Sequence, residues 1–231
     1  NTGIAIISVP LGKIPKETLE QMAVASLGNS YLIKQGTTVL AIGSPLGVNY
    51  SILCGTITSS QNEVTTIDRN YTIFTTDIVG SETGSGVLIN LEGEIIGLVL
   101  QDYSNQSDRN TITALSVSEM KQMIEDLSNG RDVPYVGLRL STVTEDIAKE
   151  FHIPKGVYVK TVVMDSPAMA AGLQEADVIV RINGEDVATV EQYNQKIYAL
   201  NPEDPVVISI KRQNGEEYVD LDCSAVAGVL K

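Results

Sequence analysis

The chain has 231 residues, 43% of them hydrophobic and 19% charged, so it can bury a core and does not have the composition of a disordered protein. Its formal net charge of -13 at pH 7 argues against nucleic acid and against an anionic membrane surface as partners. The longest apolar runs, such as Ile95–Leu100, are far shorter than the roughly 20 residues of a membrane-spanning helix, so we expect no membrane span.

Histidine and cysteine are scarce. The chain contains a single histidine, His152, and two cysteines, Cys54 and Cys223. These are too few for a His/Cys metal cage, and we expect neither a metal nor a cofactor. We interpret both cysteines as buried small apolar residues, while a disulfide between them stays open. His152 is interpreted as a surface or core residue and not as a catalytic one.

Residues 1–118 consist of short β-branched and apolar segments separated by Gly, Asn, Ser and Pro. This spacing predicts an antiparallel β sandwich or barrel. The predicted strands are Ile4–Val9, Thr37–Ile42, Ser51–Thr58, Tyr71–Ile78, Gly86–Asn90, Glu94–Gln101 and Thr111–Val117. A turn is predicted at Gln61–Asn70, and a short helical or irregular connection at Lys16–Ser26. The period then changes to that of an amphipathic helix over Ser118–Asn129, with Ser118 as its N-cap and Gly130 as its end.

A short polar hinge, Gly130–Pro134, predicts a division into two domains, residues 1–132 and residues 133–231. The second region mixes strands with three short helices. Its predicted strands are Val136–Leu140, Val157–Val163, Asp177–Ile182, Asp186–Val187, Val206–Arg212 and Glu217–Asp222, and its predicted helices are Glu145–Glu150, Ala168–Ala171 and Val190–Leu200. The expected fold is therefore mainly β, an antiparallel barrel followed by an α/β domain.

The most specific signal in the chain is the segment Ser166–Gly184. It begins with Ser166-Pro167, which suits an N-cap and a first helical position. Gly172 permits the left-handed turn that ends this short helix, and Asp177 is placed to cap or brace the strand that follows. Asn183-Gly184 is a strong signal for a two-residue hairpin turn. Together these features predict a helix, a strand and a hairpin in direct succession.

This succession resembles the PDZ family over most of residues 134–224. The family adds the C-terminal strand of a partner to a sheet edge and captures the terminal carboxylate with loop amides. The resemblance implies a carboxylate loop formed by Tyr135, Val136, Gly137 and Leu138. The glycine in this loop lets successive N–H groups converge on one anion. It also implies a groove for the peptide, bordered by Leu138, Leu140, Tyr193 and Ile197. Plain core packing of these side chains remains the alternative.

Three segments of the first region resemble the trypsin-like serine proteases of the HtrA (Deg) family. They are the strand Thr2–Val9, the strand and turn Gly36–Gly47, and a nucleophile-like loop with its following hairpin, Thr76–Gly97. Their order, followed by a helix and a PDZ module, matches that family. The resemblance implies a second protease barrel, one strand of the first barrel, and a chain that begins partway through the protease.

The catalytic machinery of that family is incomplete in this sequence. A serine nucleophile needs a neighbouring base and a third group that holds the base. Gly3 stands at the position of the family's aspartate, and the family's histidine would precede Asn1. The nucleophile loop reads Thr-Gly-Ser-Gly-Val over residues 83–87. Counting from Asp77 places Ser85, the candidate vestigial nucleophile, at the family's serine position, whereas counting back from Asn90 places Gly84 there, so one residue is deleted around the loop. We therefore predict a non-catalytic barrel.

The same loop lacks the glycine whose amide contributes to the family's oxyanion hole. That position reads Thr83 or Glu82, depending on where the deletion is placed. Loss of one such donor typically costs about 10²–10³ in rate. The loop therefore predicts the same outcome as the missing histidine and aspartate.

The resemblance implies an HtrA-like pseudoprotease whose PDZ domain binds peptide C-termini or exposed strands, in a quality-control or scaffold role. The alternative is a serine endopeptidase that becomes active only with its missing N-terminal half. A third hypothesis is a structural barrel that mediates assembly, and by resemblance we expect a homo-oligomer. The resemblance also implies an extracytoplasmic location, secreted, periplasmic or anchored at the cell envelope.

Overall fold

The structure is a computed structural model and describes residues 4–101 and 110–230. Within these residues the chain forms two compact units. One, here called the barrel unit, contains residues 6–64 and 71–128, and the other, the α/β unit, contains residues 4–5, 65–70 and 129–230. The division into domains 1–132 and 133–231 stays a prediction. No helix in the described ranges is long and apolar enough to cross a membrane.

Six strands of the barrel unit form a closed barrel in the order β1-β2-β3-β6-β5-β4. They are β1 (Thr38–Ser44), β2 (Ser51–Thr66), β3 (Arg69–Val79), β4 (Ser85–Ile89), β5 (Ile95–Leu100) and β6 (Thr111–Ser116). Alternate residues along these strands point inward, as the pleat requires. Their apolar side chains form the core, which contains Val39, Ala41, Ile57, Phe74, Ile78, Leu88, Ile96, Val99, Ile112 and Ala114. The predicted mainly-β barrel is confirmed.

The helices of the barrel unit are short. Helix α1 (Lys16–Gln21) lies in the predicted irregular connection, and α2 (Lys121–Ser128) follows the barrel. Single 3₁₀ turns occur at Leu11–Lys13, Ser30–Leu32 and Ser118–Met120. The prediction that Ser118 caps α2 is wrong, because Ser118 lies inside a 3₁₀ turn, where it exchanges hydrogen bonds with Ser30 at 2.8 and 2.9 Å.

Two further predictions for the first region are wrong. Ile4–Val9 forms no strand: it pairs with no strand among the described residues and is mostly exposed. Cys54 is exposed, because it alternates with Leu53 along β2 and points outward. Cys223 is buried as expected, and the two cysteines are not joined by a disulfide.

The predicted turn Gln61–Asn70 is shorter than expected. Strand β2 continues to Thr66 and β3 begins at Arg69, so that only Ile67 and Asp68 separate them. Val64 and the threonines after it are good strand formers, which favours the longer strand. Asp68 takes the left-handed conformation with φ 56°, one that aspartate tolerates better than most residues. The result is a tight two-residue turn.

The α/β unit contains a sheet in the order β13-β12-β10-β9-β8, with β11 paired to β10, and a separate pair β14-β7. Its strands are β7 (Pro134–Tyr135), β8 (Leu138–Val143), β9 (Gly156–Val162), β10 (Val178–Ile182), β11 (Glu185–Asp186), β12 (Pro205–Asn214), β13 (Glu217–Val226) and β14 (Gly228–Val229). Its helices are α3 (Glu145–Phe151), α4 (Pro167–Ala170) and α5 (Val190–Tyr198). Strand β8 is an edge strand: among the described residues, β9 is the one strand that pairs with it in this sheet.

The segment Ser166–Gly184 adopts the predicted local structure. The Ser166 hydroxyl accepts a hydrogen bond from the Met169 N–H at 3.2 Å, which caps α4. Gly172 has φ 80°, and Asn183-Gly184 has φ values of 50° and 80° in the turn between β10 and β11. These predictions are confirmed.

Asp177 makes contacts well beyond the strand that follows it. The side chain is 1% exposed and accepts two hydrogen bonds from the Arg212 guanidinium, at 2.7 and 2.8 Å. It also accepts from the Gln174 N–H at 2.8 Å, and Arg212 donates to the Gly172 carbonyl at 2.8 Å. One carboxylate thus joins the end of the α4 turn to β12.

Candidate carboxylate-binding site

The loop between β7 and β8 presents a row of main-chain N–H groups beside an open sheet edge. Val136 and Gly137 form this loop, and Leu138 begins the edge strand. Gly137 has φ 99°, and an added Cβ would overlap the Ser166 side chain, whose Oγ would be 2.8 Å away. Only glycine fits this conformation and this space without strain. The glycine therefore allows consecutive N–H groups to turn toward one point.

Three consecutive N–H groups of this loop converge on the carboxylate of Asp68. Val136 N and Gly137 N donate to its Oδ2 at 2.7 and 2.8 Å, and Leu138 N donates to its Oδ1 at 3.1 Å. The Tyr193 hydroxyl on α5 also donates to Oδ1, at 2.7 Å. Both carboxylate oxygens are thus saturated by donors, as in a backbone nest that holds an anion. We call the segment Val136–Leu138, whose three N–H groups bind Asp68, the carboxylate loop.

Asp68 is buried at this site. Its side chain is 3% exposed, and its neighbours in the turn, Thr66 and Arg69, are 3% and 5% exposed. Its main-chain N–H donates to the Leu138 carbonyl at 2.6 Å, which joins the turn to the edge strand β8. A hairpin turn normally lies exposed at the surface, so this turn is unusual. It belongs to the same compact unit as the loop that it contacts.

Burial and hydrogen bonding act in opposite directions on the Asp68 carboxyl. Removal from water raises its pKa above the usual value, while the loop amides and the Tyr193 hydroxyl lower it, and burial has the larger effect. The pKa of Tyr193 is raised well above its usual value by burial and by the neighbouring carboxylate. Tyr193 therefore stays protonated and remains a hydrogen-bond donor to Asp68.

Two arginines hold the turn on either side of Asp68. The Arg139 guanidinium on β8 donates to the Thr65 carbonyl at 2.9 Å. The guanidinium carbon of Arg69 lies 3.2 Å from the centroid of the Tyr198 ring at the end of α5, a cation–π contact. Side chains from the edge strand β8 and from helix α5 thus hold the turn in place.

The other predicted groove residues lie in the interior of the α/β unit. Leu138, Leu140 and Tyr193 are fully buried, and Ile197 is 2% exposed. All four belong to the hydrophobic core of the unit. Their role at the border of a peptide pocket stays a prediction, whereas Tyr193 also reaches Asp68 with its hydroxyl. Tyr135, the first residue of the predicted loop, is half-buried and pairs with Gly228 on β14.

Asp68 itself was missed by the reasoning from sequence. The turn Ile67-Asp68 falls within a stretch predicted only as a loop, and an acidic residue in a turn is ordinarily solvated. The neighbouring sequence does not distinguish Asp68 from other turn aspartates, because its partners are 68 to 125 positions away. No local pattern could have identified it.

Ser85 lies at the start of β4, exposed, opposite Ser44 in the register with β1. It borders an open, mostly apolar depression of about 500 Å³, whose lining also includes Ile42, Asn49, Tyr50 and Ile52. His152 belongs to the α/β unit, where it ends α3 in the left-handed conformation and is exposed. The barrel unit therefore offers Ser85 no histidine. Gly3, the predicted replacement of the family's aspartate, lies outside the described residues.

The loop before Ser85 directs its main-chain N–H groups at its own residues. Thr83 N donates to the Ser81 hydroxyl at 3.3 Å, and Gly84 N donates to the Ser81 carbonyl at 2.8 Å. Neither Glu82 nor Thr83 has a positive φ. An oxyanion hole needs donors aimed at a reacting oxygen, and in this structure these two amides are aimed at Ser81 instead. Over the described residues, no cluster of three His, Cys, Asp or Glu side chains suited to a metal occurs.

The chain is similar in sequence to the PDZ domain family and to HtrA-type serine proteases. The PDZ domain family matches residues 134–223. The chain is 30% identical over 214 residues to the serine protease Do-like HtrB of Bacillus subtilis, covering 82% of this chain and 46% of the relative. It is 28% identical over 214 residues to a probable periplasmic serine endoprotease DegP-like of Hahella chejuensis, covering 90% of this chain and 45% of the relative. It thus spans about half the length of these relatives.

Solved structures share the fold. The HtrA-type protease AlgW with tripeptide has a TM-score of 0.59 at 21% identity, covering 90% of this chain and 69% of that one. The serine endoprotease from Yersinia pestis has a TM-score of 0.55 at 20% identity, covering 91% of this chain and 68% of that one. Residues 134–223 are therefore a PDZ domain, and the chain is homologous to the C-terminal part of the HtrA/DegP serine proteases.

Proposed function

We propose that this chain binds the C-termini or exposed strands of other polypeptides through its PDZ domain and does not act as a protease through its barrel. The observation that carries the proposal is the convergence of three consecutive loop amides on one carboxylate, next to the free edge of β8. A free sheet edge adds a strand, and a nest of N–H groups captures a terminal carboxylate.

The comparisons support the binding half of this proposal. One solved structure with the same fold is an HtrA-type protease with tripeptide, and another is the same protease with decapeptide. Several homologous proteins are named periplasmic, which supports an extracytoplasmic location for this chain. The proposed roles in quality control or as a scaffold follow from the capture of exposed polypeptide ends.

Binding is expected to depend on the terminal carboxylate. A pool of fluorescein-labelled decapeptides with free carboxyl termini should bind at least about tenfold more tightly than the same pool with amidated termini, because amidation removes the charge that the loop amides attract. Fluorescence anisotropy measures both affinities. Equal affinity for the two pools would contradict the proposed function.

The inactive-barrel half of the proposal predicts that Ser85 is not activated. A fluorophosphonate probe, which labels activated serines, should leave the chain unlabelled, because Ser85 has no histidine in its unit and the neighbouring amides are engaged in a local turn. The Ser85→Ala chain serves as the control. Labelling that disappears in Ser85→Ala would establish an active serine and reject the pseudoprotease.

A further inference from the structure

We propose that Asp68 is an internal ligand of the carboxylate loop, and that the β2–β3 turn must leave this site before the C-terminus of another polypeptide binds there. The inference rests on the proposed peptide-binding function and adds a competitor that belongs to the chain itself. The resting protein thus keeps its own peptide site closed.

Asp68 reproduces both hydrogen-bonding features of a bound C-terminus. Its main-chain N–H donates to the Leu138 carbonyl at 2.6 Å, as strand addition at a sheet edge requires. Its carboxylate accepts from the amides of Val136, Gly137 and Leu138 at 2.7, 2.8 and 3.1 Å. The terminal carboxylate of a peptide would need the same three amides. The two carboxylates therefore exclude each other.

Specific contacts on both sides of Asp68 hold the β2–β3 turn in the site. Asp68 is 3% exposed and is reached by Tyr193 from α5 as well as by the loop. Arg139 binds the Thr65 carbonyl before the turn, and Arg69 stacks on Tyr198 after it. The turn thus contacts both the edge strand and helix α5, the two elements between which a PDZ peptide lies.

When the turn leaves, the donors of the site are fully satisfied only by another negatively charged acceptor. The three loop amides and the Tyr193 hydroxyl all donate, and none of them accepts from Asp68. A neutral or amidated end provides fewer acceptor lone pairs and no charge. A free C-terminal carboxylate is therefore the chemistry that replaces Asp68.

The competition has a measurable size. When only a fraction of the molecules has an open site, the apparent dissociation constant equals the intrinsic constant divided by that fraction. Occupancy of nine-tenths by Asp68 would weaken peptide binding about tenfold. Removal of the Asp68 charge should therefore recover the lost peptide affinity.

The test is the Asp68→Asn chain. Asparagine keeps the size of the side chain and tolerates φ 56°, so the turn is retained while its charge is lost. The free-acid decapeptide pool should bind at least about tenfold more tightly to Asp68→Asn than to the wild-type chain. The matched control is Asp165→Asn, because Asp165 is an exposed aspartate with φ 57° that makes no contact with the loop amides. This control should bind as the wild type does.

Two measurements read the site without relying on a change in affinity. Hydrogen exchange of the Val136, Gly137 and Leu138 amides should be faster in Asp68→Asn than in the wild type, since these amides lose a charged acceptor. In the wild-type chain, saturation with the free-acid pool should shift the ¹³C signal of the Asp68 carboxyl. This titration remains decisive if the variant fails to fold.

The outcomes separate the inference from the function on which it rests. Equal peptide affinity of the wild-type and Asp68→Asn chains, with equal protection of the loop amides, would overturn the inference and leave the proposed function intact. An Asp68 carboxyl signal that does not move while peptide saturates the wild-type chain would overturn it too. If neither chain prefers free acids over amides, the proposed function fails, and so does the competition inferred from it.

Discussion

Replacement of Gly137 by valine is expected to abolish the binding of free-acid peptides and to lower the free energy of unfolding of the α/β unit by about 3 kcal/mol or more. At φ 99° a β-branched side chain is strained, and its Cβ would overlap the Ser166 side chain that caps α4. Any movement that relieves this overlap displaces the flanking amides of Val136 and Leu138. Denaturant unfolding and peptide anisotropy measure the two effects.

The matched control is Gly215→Val in the turn between β12 and β13. Gly215 also has a positive φ, 68°, but an added Cβ meets nothing within 4 Å. This variant should pay only the conformational strain, on the order of 1–2 kcal/mol, and should bind peptide normally. Equal destabilisation by the two variants, with peptide binding retained in Gly137→Val, would show that the loop does not need its glycine.

Replacement of Asp177 by alanine is expected to lower the free energy of unfolding of the α/β unit by about 3 kcal/mol. The change leaves the Arg212 guanidinium without its two carboxylate bonds and the Gln174 N–H without its acceptor. The Asp177 side chain is 1% exposed and that of Arg212 is 25% exposed, so water restores only part of the loss. Urea unfolding followed by circular dichroism measures the difference.

The control for Asp177 is another Asp–Arg pair in the same unit. Arg181 and Asp186 meet at 2.8 Å, almost the distance of the buried pair, but their side chains are 58% and 87% exposed. Asp186→Ala should cost less than about 1 kcal/mol, because exposed charges are screened and solvated. Similar losses from the two variants would mean that burial does not strengthen the Asp177–Arg212 pair.

Local chemistry explains why much of the α/β unit was predictable. Ser166-Pro167, Gly172 and Asn183-Gly184 each act within a few residues, through a cap, a helix end and a hairpin turn, and each adopts its predicted conformation. The barrel was predictable for a related reason, since the period of two in its strands reports which side chains face the core. Element ends were less predictable, because β2 continues through the turn-like residues 59–63 to the strand formers at 64–66.

Ile4–Val9 and Cys54 show where local patterns mislead. Ile4–Val9 has the composition of a strand but pairs with none among the described residues, and propensity alone does not form a strand without a neighbour. Cys54 belongs to a residue type that is usually buried, yet its position in the alternation of β2 turns it outward. In both cases strand pairing, or the side of the strand on which a residue lies, has a larger effect on the structure than the residue type.

The sequence by itself determined the two folds and the position of the glycine-containing loop around Gly137, and it places the single histidine of the given residues, His152, outside the barrel. The tertiary structure alone decided what the loop holds. Asp68 is 68 to 125 positions away from its partners, and a carboxylate in a turn is ordinary until four donors surround it and exclude water. Such a contact depends on which distant segments meet, and the free energy of burying a charge depends on all of its neighbours at once.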